Sequence, residues 1–206
     1  MPGRAQPKAV PSRWEIVMAG EGGQGLVVAG IILGEAAVIE GLEVVQSQWV
    51  LGSATRGSLS RSEVVISQGE IAFPRVLGAG ILLALTQDAL KRHLGMAAPD
   101  ALIIVDRDGV PDVSGVGPGS QVARLPILAE AGSLGLGRSA NVFALGVVQA
   151  LSGVVRRESI EEALRRRFGA KVEPNLRAFR CGVELALEWK PPRGAGEMPR
   201  GSGHHR

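Results

Sequence analysis

The sequence predicts a single α/β domain with a Rossmann-like, three-layer fold, in which helices cover both faces of a mostly parallel sheet. The apolar run Ile16–Ala19 leads directly into the glycine-rich segment Gly20–Gly25 and then into the apolar, proline-free stretch Leu26–Ala37. The order strand, glycine loop, helix is typical of the start of a βαβ unit. Ala101–Val105 is apolar at every position, as is usual for a parallel strand buried on both faces. The 206 residues, 45% of them hydrophobic, suffice for one sizeable core.

The other strands of the first half are predicted from short apolar runs and the residues that interrupt them. Gly41 is expected to end the first helix, and Glu43–Ser47 to form the second strand. Residues 49–60 are expected to be a long loop, followed by a strand over Arg61–Ser67. Ile81–Leu85 has the length and composition of a buried strand.

The second half is predicted to be mainly helical, because residues that typically begin helices precede its apolar stretches. Thr86 and Ser139 are such N-cap residues, and Ser159 with Glu162 has the spacing of a capping box. Gln121–Leu125 is predicted to be a strand. The predicted helices are Gln87–Leu94, a short one after Pro126, Ala140–Leu151, one from Ser159 to about Phe168 that stops at Gly169, and Pro174–Trp189.

Positive charge is concentrated at the two ends of the chain. The net charge is +3, with +3 in residues 1–13, +3 in residues 190–206 and −3 in residues 14–189. Both ends are rich in Pro, Gly and Arg, so they are predicted to be disordered basic tails around a domain spanning 14–189. Aromatic residues are 3% of the chain and tyrosine is absent, which argues against a base-stacking surface and a nucleic-acid partner.

Cysteine usage and hydropathy exclude other classes of protein. The single cysteine, Cys181, excludes a disulfide framework and an iron–sulfur cluster held by this chain alone, and it is expected to be a small buried residue. The first twelve residues lack the apolar core of a signal peptide. The longest apolar stretch, Leu26–Val45, is interrupted by Glu35, Glu40 and Glu43, so no membrane span is predicted and a cytoplasmic location is expected.

The glycine loop is the first candidate binding site. Glycines allow a ligand to approach the backbone closely, and the N-terminus of the following helix favours an anion. We therefore expect a phosphate-bearing ligand at Gly22, Gly23, Gln24 and Gly25. The spacing also matches the dinucleotide fingerprint, but Glu43 lies at the start of the second strand, not at its end, which argues against an ordinary NAD or FAD site. A purely structural role for these glycines in a tight turn is the alternative.

The predicted long loop supplies further candidates. Arg56 lies in a segment rich in glycine and serine that should emerge at the same sheet edge as the glycine loop. Its guanidinium can bind a phosphate or a carboxylate through two hydrogen bonds, and Gly57, Ser58 and Ser60 could complete that contact. A role in fixing the loop or a subunit interface is the alternative for Arg56, and bonding within their own loop is the alternative for the serines.

Three other polar residues are expected to be structural. Asn141 is predicted to cap a helix, and Asp106 to start the turn after a central strand. His93 follows Lys91 and Arg92 and is expected to be a solvated helix residue. No catalytic triad, carboxylate pair or metal-binding spacing is evident in the sequence.

Four segments together resemble the gamma subunit, or gamma domain, of the 2-oxoacid:ferredoxin oxidoreductases. The resemblance covers about Trp14 to Trp189. Its motifs are GEGGQG at 20–25, TRGSLSRSEVVIS at 55–67, Asn141 with Ala144-Leu145-Gly146, and NLRAF at 175–179. The family usually has two glycines after the arginine, and the second of them is Ser58 here.

The resemblance implies one subunit of a larger enzyme that converts pyruvate, 2-ketoisovalerate or 2-oxoglutarate to an acyl-CoA. Such a complex uses thiamine diphosphate between its alpha and beta subunits, magnesium, iron–sulfur clusters in beta and delta (ferredoxin-like) parts, coenzyme A, and ferredoxin as acceptor. This chain would then be the non-cluster subunit on the coenzyme A side, inactive alone and without a bound cofactor of its own. The alternatives are a stand-alone Rossmann-like nucleotide-binding or regulatory module and an α/β interaction protein without a ligand.

Overall fold

The computed structural model describes residues 12–50 and 58–190. Its strands are β1 (Arg13–Glu21), β2 (Glu43–Val50), β3 (Leu59–Ser67), β4 (Ala79–Ala84), β5 (Ala97–Asp106) and β6 (Gln121–Leu125). Its α-helices are α1 (Leu26–Ile39), α2 (Gln87–His93), α3 (Ile127–Ser133), α4 (Ala140–Ser152), α5 (Arg157–Phe168) and α6 (Glu173–Glu188). Short 3-10 turns lie at Leu94–Met96, Gly137–Ser139 and Gly169–Lys171.

The strands form one sheet in the order β2-β3-β1-β4-β5-β6. β1, β4, β5 and β6 are parallel neighbours, whereas β3 runs antiparallel to both β1 and β2. β2 therefore has the same direction as β1 but does not touch it. The register aligns Val50 with Ser60 and Ser60 with Gly20, so the carboxyl ends of β1 and β2 and the start of β3 meet at one edge.

The two faces of the sheet carry layers of unequal thickness. Ile16 and Met18 of β1 pack in a core with residues of α1, α3, α4, α5 and α6. Val17 and Ala19 point to the opposite face and pack with α2 and with Val110 in the connection after β5. The three-layer α/β fold with a mostly parallel sheet is confirmed.

The predicted loop over residues 49–60 is wrong at both ends. Trp49 and Val50 belong to β2, and Leu59 and Ser60 belong to β3, because antiparallel pairing continues between the two strands up to Val50 and Ser60. Residues 51–57 lie outside the described residues. The connection between the strands is thus shorter than predicted.

The boundary predicted at residue 14 is also wrong. Arg13 is the first residue of β1 and pairs with Ser67. Its guanidinium contacts the Glu15 carboxylate at 2.8 Å and donates to the carbonyl oxygens of Phe73 and Arg75, which fixes it to the domain. The remaining tail residues, 1–11 and 191–206, lie outside the described residues.

The predicted helix caps differ in outcome. Thr86 caps α2 as predicted, since its hydroxyl oxygen accepts a hydrogen bond from the Ala89 N–H at 3.3 Å. Ser139 precedes α4 but makes no capping hydrogen bond with its side chain. Its hydroxyl instead donates to Asn175 Oδ1 at 2.9 Å, which ties the start of α4 to the start of α6.

The capping box predicted at Ser159 is wrong, because α5 begins at Arg157 and Ser159 is buried inside it. The Arg156 N–H at the start of this helix donates to the Glu40 carboxylate at 2.6 Å. The N–H of the N-cap residue, which a capping-box glutamate would bond, is therefore bonded by a carboxylate from the end of α1.

Two glycines allow α4 and α6 to pack with their backbones in direct contact. A Cβ on Gly146 of α4 would overlap the Phe179 carbonyl oxygen of α6. A Cβ on Gly182 of α6 would overlap the Phe143 carbonyl oxygen of α4. Because a backbone carbonyl cannot rotate aside as a side chain can, these positions require glycine.

We expect Gly146→Ala to lower the free energy of unfolding by about 1–3 kcal/mol, because the added methyl group forces two helices apart. The measurement is urea denaturation followed by circular dichroism. Gly132→Ala is the matched control, since Gly132 is a helical glycine of α3 with no atom near a built Cβ. Alanine there should be neutral or stabilising. Equal effects of the two substitutions would contradict the packing argument.

Candidate functional site

The two predicted binding segments meet at the carboxyl edge of the sheet. The Gly22 N–H donates to the Ser58 carbonyl oxygen at 2.5 Å, and the Ser60 hydroxyl donates to the Glu21 carbonyl oxygen at 3.4 Å. Ser58 Oγ is itself buried and has no hydrogen-bond partner in the described structure. Of the two serines, Ser60 thus holds the loop, whereas Ser58 Oγ bonds to none of the described residues.

Arg56 and Gly57 lie outside the described residues. Both precede Ser58, which is next to the glycine loop through the bond to Gly22. Their proposed contacts with a ligand remain a prediction.

Gln24 closes the glycine loop on itself. Its Oε1 accepts a hydrogen bond from the Glu21 N–H at 2.8 Å, and its own N–H donates to the Glu21 carbonyl oxygen at 3.2 Å. A Cβ on Gly20 would overlap Gln24 Oε1, so a glycine is needed there for the loop to close. Only the amide nitrogen of Gln24 is left to contact a ligand.

The loop presents the N-terminus of α1 on an open side. Gly25 is the N-cap residue with a φ of 74°, and no side chain caps the helix. Gly23 has a φ of 93°, and no atom of residues 12–50 and 58–190 lies within 4 Å of a Cβ built on it. The first turn of α1 contains no acidic residue. Glu21 continues the face of Val17 and Ala19, opposite to α1. The backbone N–H groups and the helix dipole can therefore bind an anion here.

The acid that a dinucleotide site would need is not at this edge. Glu43 pairs with Ser67, which pairs with Arg13, at the other end of the strands. The carboxyl end of β2 carries the uncharged residues Gln48, Trp49 and Val50. This placement confirms the prediction that the second strand provides no ribose-binding carboxylate.

Asn141 contacts the glycine loop, which the sequence analysis did not predict. It lies in the first turn of α4, yet its Nδ2 donates to the Gly25 carbonyl oxygen at 3.1 Å, and it caps nothing. The two residues are 116 positions apart, so no local pattern indicates the contact.

His93 is buried, and the prediction of a solvated histidine is wrong. Its side chain is 2% exposed. Arg61 lies beside it, with Nη1 at 3.5 Å from His93 Nδ1 and Nη2 at 2.7 Å from the Glu63 carboxylate. The guanidinium carbon of Arg61 lies 5.2 Å from the centre of the Trp49 ring, a cation–π distance. These side chains connect β2, β3 and α2 on the sheet face that α2 covers.

Burial lowers the pKa of His93 to about 4, and the positive charges of Arg61 and Arg92 act in the same direction. The imidazole is therefore neutral at physiological pH. A protonated His93 would place a second positive charge next to Arg61 in a site closed to water.

Asp106 and Cys181 have structural surroundings. Asp106 is buried at the end of β5, where Oδ2 accepts from the Gly109 N–H at 2.7 Å and Oδ1 from the Leu128 N–H at 2.8 Å. It thus forms the turn, as predicted, and caps α3. Cys181 is partly buried and packs against the main core.

Residues 12–50 and 58–190 contain no group of three or more His, Cys, Asp or Glu side chains placed to hold a metal ion. No helix in those ranges has the length and apolar composition needed to cross a membrane.

The fold and this edge define an α/β domain in which a glycine loop joins the end of a central parallel strand to the uncapped N-terminus of a helix. Residues 15–185 match the model of the family described as pyruvate ferredoxin/flavodoxin oxidoreductase, so the chain belongs to that family. The 2-oxoglutarate synthase subunit KorC of Methanocaldococcus jannaschii is 35% identical over 88% of this chain and 98% of its own length.

Solved structures agree with the family. The gamma subunit of a keto/oxoacid ferredoxin oxidoreductase from Geobacter sulfurreducens is 37% identical, with a TM-score of 0.75 over 86% of this chain and 98% of that one. A 2-oxoglutarate:ferredoxin oxidoreductase from Magnetococcus marinus, solved with 2-oxoglutarate, coenzyme A and succinyl-CoA, is 22% identical. It shares the fold, with a TM-score of 0.80 over 92% of this chain and 34% of that longer chain. The relatives are subunits of enzymes that act as complexes, as the motifs predicted.

We expect the stability of the wild-type protein to fall between pH 6.5 and pH 4 because of His93. The unfolded chain takes up a proton near pH 6.5, because the ordinary pKa of histidine lies there, whereas the folded protein takes it up only near pH 4. Between pH 7.5 and pH 5 the wild type should lose about 1–2 kcal/mol more than His93→Gln, which does not titrate. The measurement is the free energy of unfolding in urea at both pH values. Parallel losses in the two proteins would contradict the role of His93.

Proposed function

We propose that this chain is the gamma subunit of a multi-subunit 2-oxoacid:ferredoxin oxidoreductase and that its glycine loop lies on the coenzyme A side of the active site. The observation that supports the placement is the meeting of Gly22 with Ser58 beside the open N-terminus of α1. Membership in the family supports the proposed kind of enzyme. The geometry of the loop supports an anionic ligand.

Coenzyme A is suited to this edge because it carries several phosphate groups. The backbone N–H groups of Gly23 and Gly25 and the first turn of α1 would bind one of them, with the Ser58 hydroxyl as a further donor. We propose Arg56 as the charged partner in the connection between β2 and β3, because a guanidinium binds phosphate in two-pronged fashion. Gln24 and Ser60 would act mainly by shaping the loop, since Gln24 Oε1 and the Ser60 hydroxyl already bond to Glu21.

The redox chemistry is proposed to belong to the other subunits. This chain has one cysteine, which cannot supply the thiolates of an iron–sulfur cluster. The assembled enzyme would use thiamine diphosphate with magnesium to decarboxylate the 2-oxoacid and iron–sulfur clusters to pass electrons to ferredoxin. The role of this chain is to bind and orient coenzyme A beside that centre.

The proposed partners are alpha and beta subunits and, in an assembly of four, a ferredoxin-like delta subunit. Relatives that are named as subunits, such as KorC of Methanocaldococcus jannaschii, support the idea that this chain acts together with other subunits. A cytoplasmic location is part of the same proposal.

Reconstitution tests the proposed function. The purified chain should be colourless and should not oxidise any 2-oxoacid. With its native partner subunits, captured through a tag on this chain, it should support reduction of a low-potential dye that depends on both coenzyme A and a 2-oxoacid. Pyruvate, 2-ketoisovalerate and 2-oxoglutarate are tested side by side. Turnover by the chain alone, or an active complex that does not need it, would contradict the proposal.

Gly23→Ala tests the ligand at the loop. The new methyl group would stand at the open side of the loop, and displacing one phosphate contact of about 1.4 kcal/mol should raise the KM for coenzyme A about ten-fold. Gly41→Ala is the matched control, because Gly41 also has a positive φ of 76° and open space but lies beyond the other end of α1. Both variants should lose thermal stability, and only the first should lose coenzyme A affinity. An unchanged KM in Gly23→Ala would favour a purely structural glycine loop.

A further inference from the structure

We propose that Asn141 is a positioning residue, which holds the Gly25 peptide so that the first turn of α1 can bind an anion. The inference rests on the proposed function, since the anion is taken to be a phosphate group of coenzyme A. Its basis is the 3.1 Å hydrogen bond from Asn141 Nδ2 to the Gly25 carbonyl oxygen. Asn141 is not placed in contact with the ligand. It acts through the backbone of the loop.

The Gly25 carbonyl oxygen accepts two hydrogen bonds, and together they fix the peptide plane. The Ala29 N–H provides the first backbone bond of α1 at 3.1 Å, and Asn141 provides the second bond from another helix. In a planar trans peptide the carbonyl and the following N–H point in opposite directions. Holding the carbonyl towards Ala29 and Asn141 therefore directs the Leu26 N–H out of the helix end, towards the open side of the loop.

The space that Gly25 leaves vacant is the space that the Asn141 amide occupies. A Cβ on Gly25 would lie 2.8 Å from Asn141 Nδ2 and 3.0 Å from its Cγ. Gly25 also has a φ of 74°, a backbone conformation that residues with a Cβ rarely adopt. The glycine is thus required both by its own backbone and by the approach of the amide. The close contact between Gly25 and Asn141 therefore belongs to the glycine loop and is not part of the packing of the main core.

Asn141 can act as a fixed point because α4 is firmly held. At its start, Ser139 Oγ donates to Asn175 Oδ1 of α6 at 2.9 Å. Further along, Gly146 and Gly182 bring the backbones of α4 and α6 into contact. The glycine loop is therefore tied through one amide to the most closely packed helix pair of the domain.

An amide is also the suitable chemical group at this position. The first turn of α1 contains no acidic residue, so the helix end keeps its attraction for an anion. A neutral amide donates to the Gly25 carbonyl without adding charge beside the bound phosphate. An aspartate of the same shape would have no N–H to donate at neutral pH and would repel the anion.

Hydrogen exchange on the full chain tests the positioning directly. In Asn141→Ala the backbone amides of residues 21–29 should exchange about ten-fold faster than in the wild type, because the Gly25 peptide loses one of its two bonds. Gln149→Ala is the matched control, since it removes an amide-to-carbonyl hydrogen bond of the same 3.1 Å length, from Gln149 Nε2 to the Val155 carbonyl oxygen, at the other end of α4 and without touching Gly25. Both variants should lose about 2–4 °C of melting temperature. Equal exchange rates at 21–29 in the two variants would overturn the inference.

Kinetics of the reconstituted complex test the consequence. Asn141→Ala should raise the KM for coenzyme A about ten-fold with little change in kcat or in the KM for the 2-oxoacid, whereas Gln149→Ala should leave both KM values unchanged. Asn141→Asp, which keeps the side-chain volume, should raise the KM for coenzyme A further, and it serves as the test if the alanine variant does not fold.

The outcomes separate the two proposals. If Gly23→Ala raises the KM for coenzyme A but Asn141→Ala and Asn141→Asp do not, the positioning role is wrong and the proposed ligand stands. If none of the three changes the KM for coenzyme A, the proposed ligand is wrong and the positioning role falls with it.

Discussion

The antiparallel strand β3 is the constraint on which the arrangement of this domain depends. Because it lies between β1 and β2, it separates two strands that would otherwise be neighbours in a simple βαβ unit. Its register places Ser60 beside Gly20 on one side and beside Val50 on the other. β3 therefore begins beside the glycine loop, and the Gly22–Ser58 bond completes the junction.

β3 also determines what packs on each face of the sheet near that edge. Arg61, on one face, stacks over Trp49 and contacts Glu63 and His93. Ser62, on the other face, accepts a hydrogen bond from the Gln46 amide at 3.0 Å and occupies the space beside Gly30 of α1. Residues of β3 thus pack on both faces of the sheet, Arg61 on the face that α2 covers and Ser62 on the face that α1 covers. Among the buried polar residues of β3, Ser60 bonds to Glu21 and Ser62 to Gln46 on neighbouring strands, and Glu63 pairs with Arg61 of the same strand.

The sequence predicted the order of the elements well and the direction of β3 not at all. Apolar runs indicate strands such as β5 directly, but the run in β3 is apolar enough to fit either a parallel or an antiparallel central strand. Direction depends on the partner strand, which local patterns do not specify. The end of β2 was predicted to be a loop because the segment 49–60 becomes small and polar towards its end, whereas cross-strand pairing extends the strand to Val50. At Ser159 the capping-box pattern was misleading, because α5 begins two residues earlier, where the Arg156 N–H bonds to Glu40 across 116 residues.

The candidate site was predictable where its chemistry is local. A glycine loop before an apolar helix predicts a turn whose backbone a ligand can approach, and the structure places this turn at the end of a central strand. Asn141 was missed because its contact with Gly25 is made through the fold. His93 was misjudged from its basic neighbours, although its spacing from Ala89, with Leu90 on the same buried face, could have indicated burial. Sequence neighbours describe charge, whereas helical spacing describes which side chains share a face.

The contact between α4 and α6 limits how this family member can change its sequence. At most core positions a larger residue can be tolerated when a neighbour becomes smaller. Gly146 and Gly182 face main-chain carbonyl groups, and every amino acid has the same carbonyl group. A second substitution therefore cannot restore the space that a side chain at either position would occupy. No compensating mutation is available for these two glycines. The same helix pair supports Asn141. The constraint on Gly146 and Gly182 therefore also limits how far the geometry of the glycine loop can change during evolution.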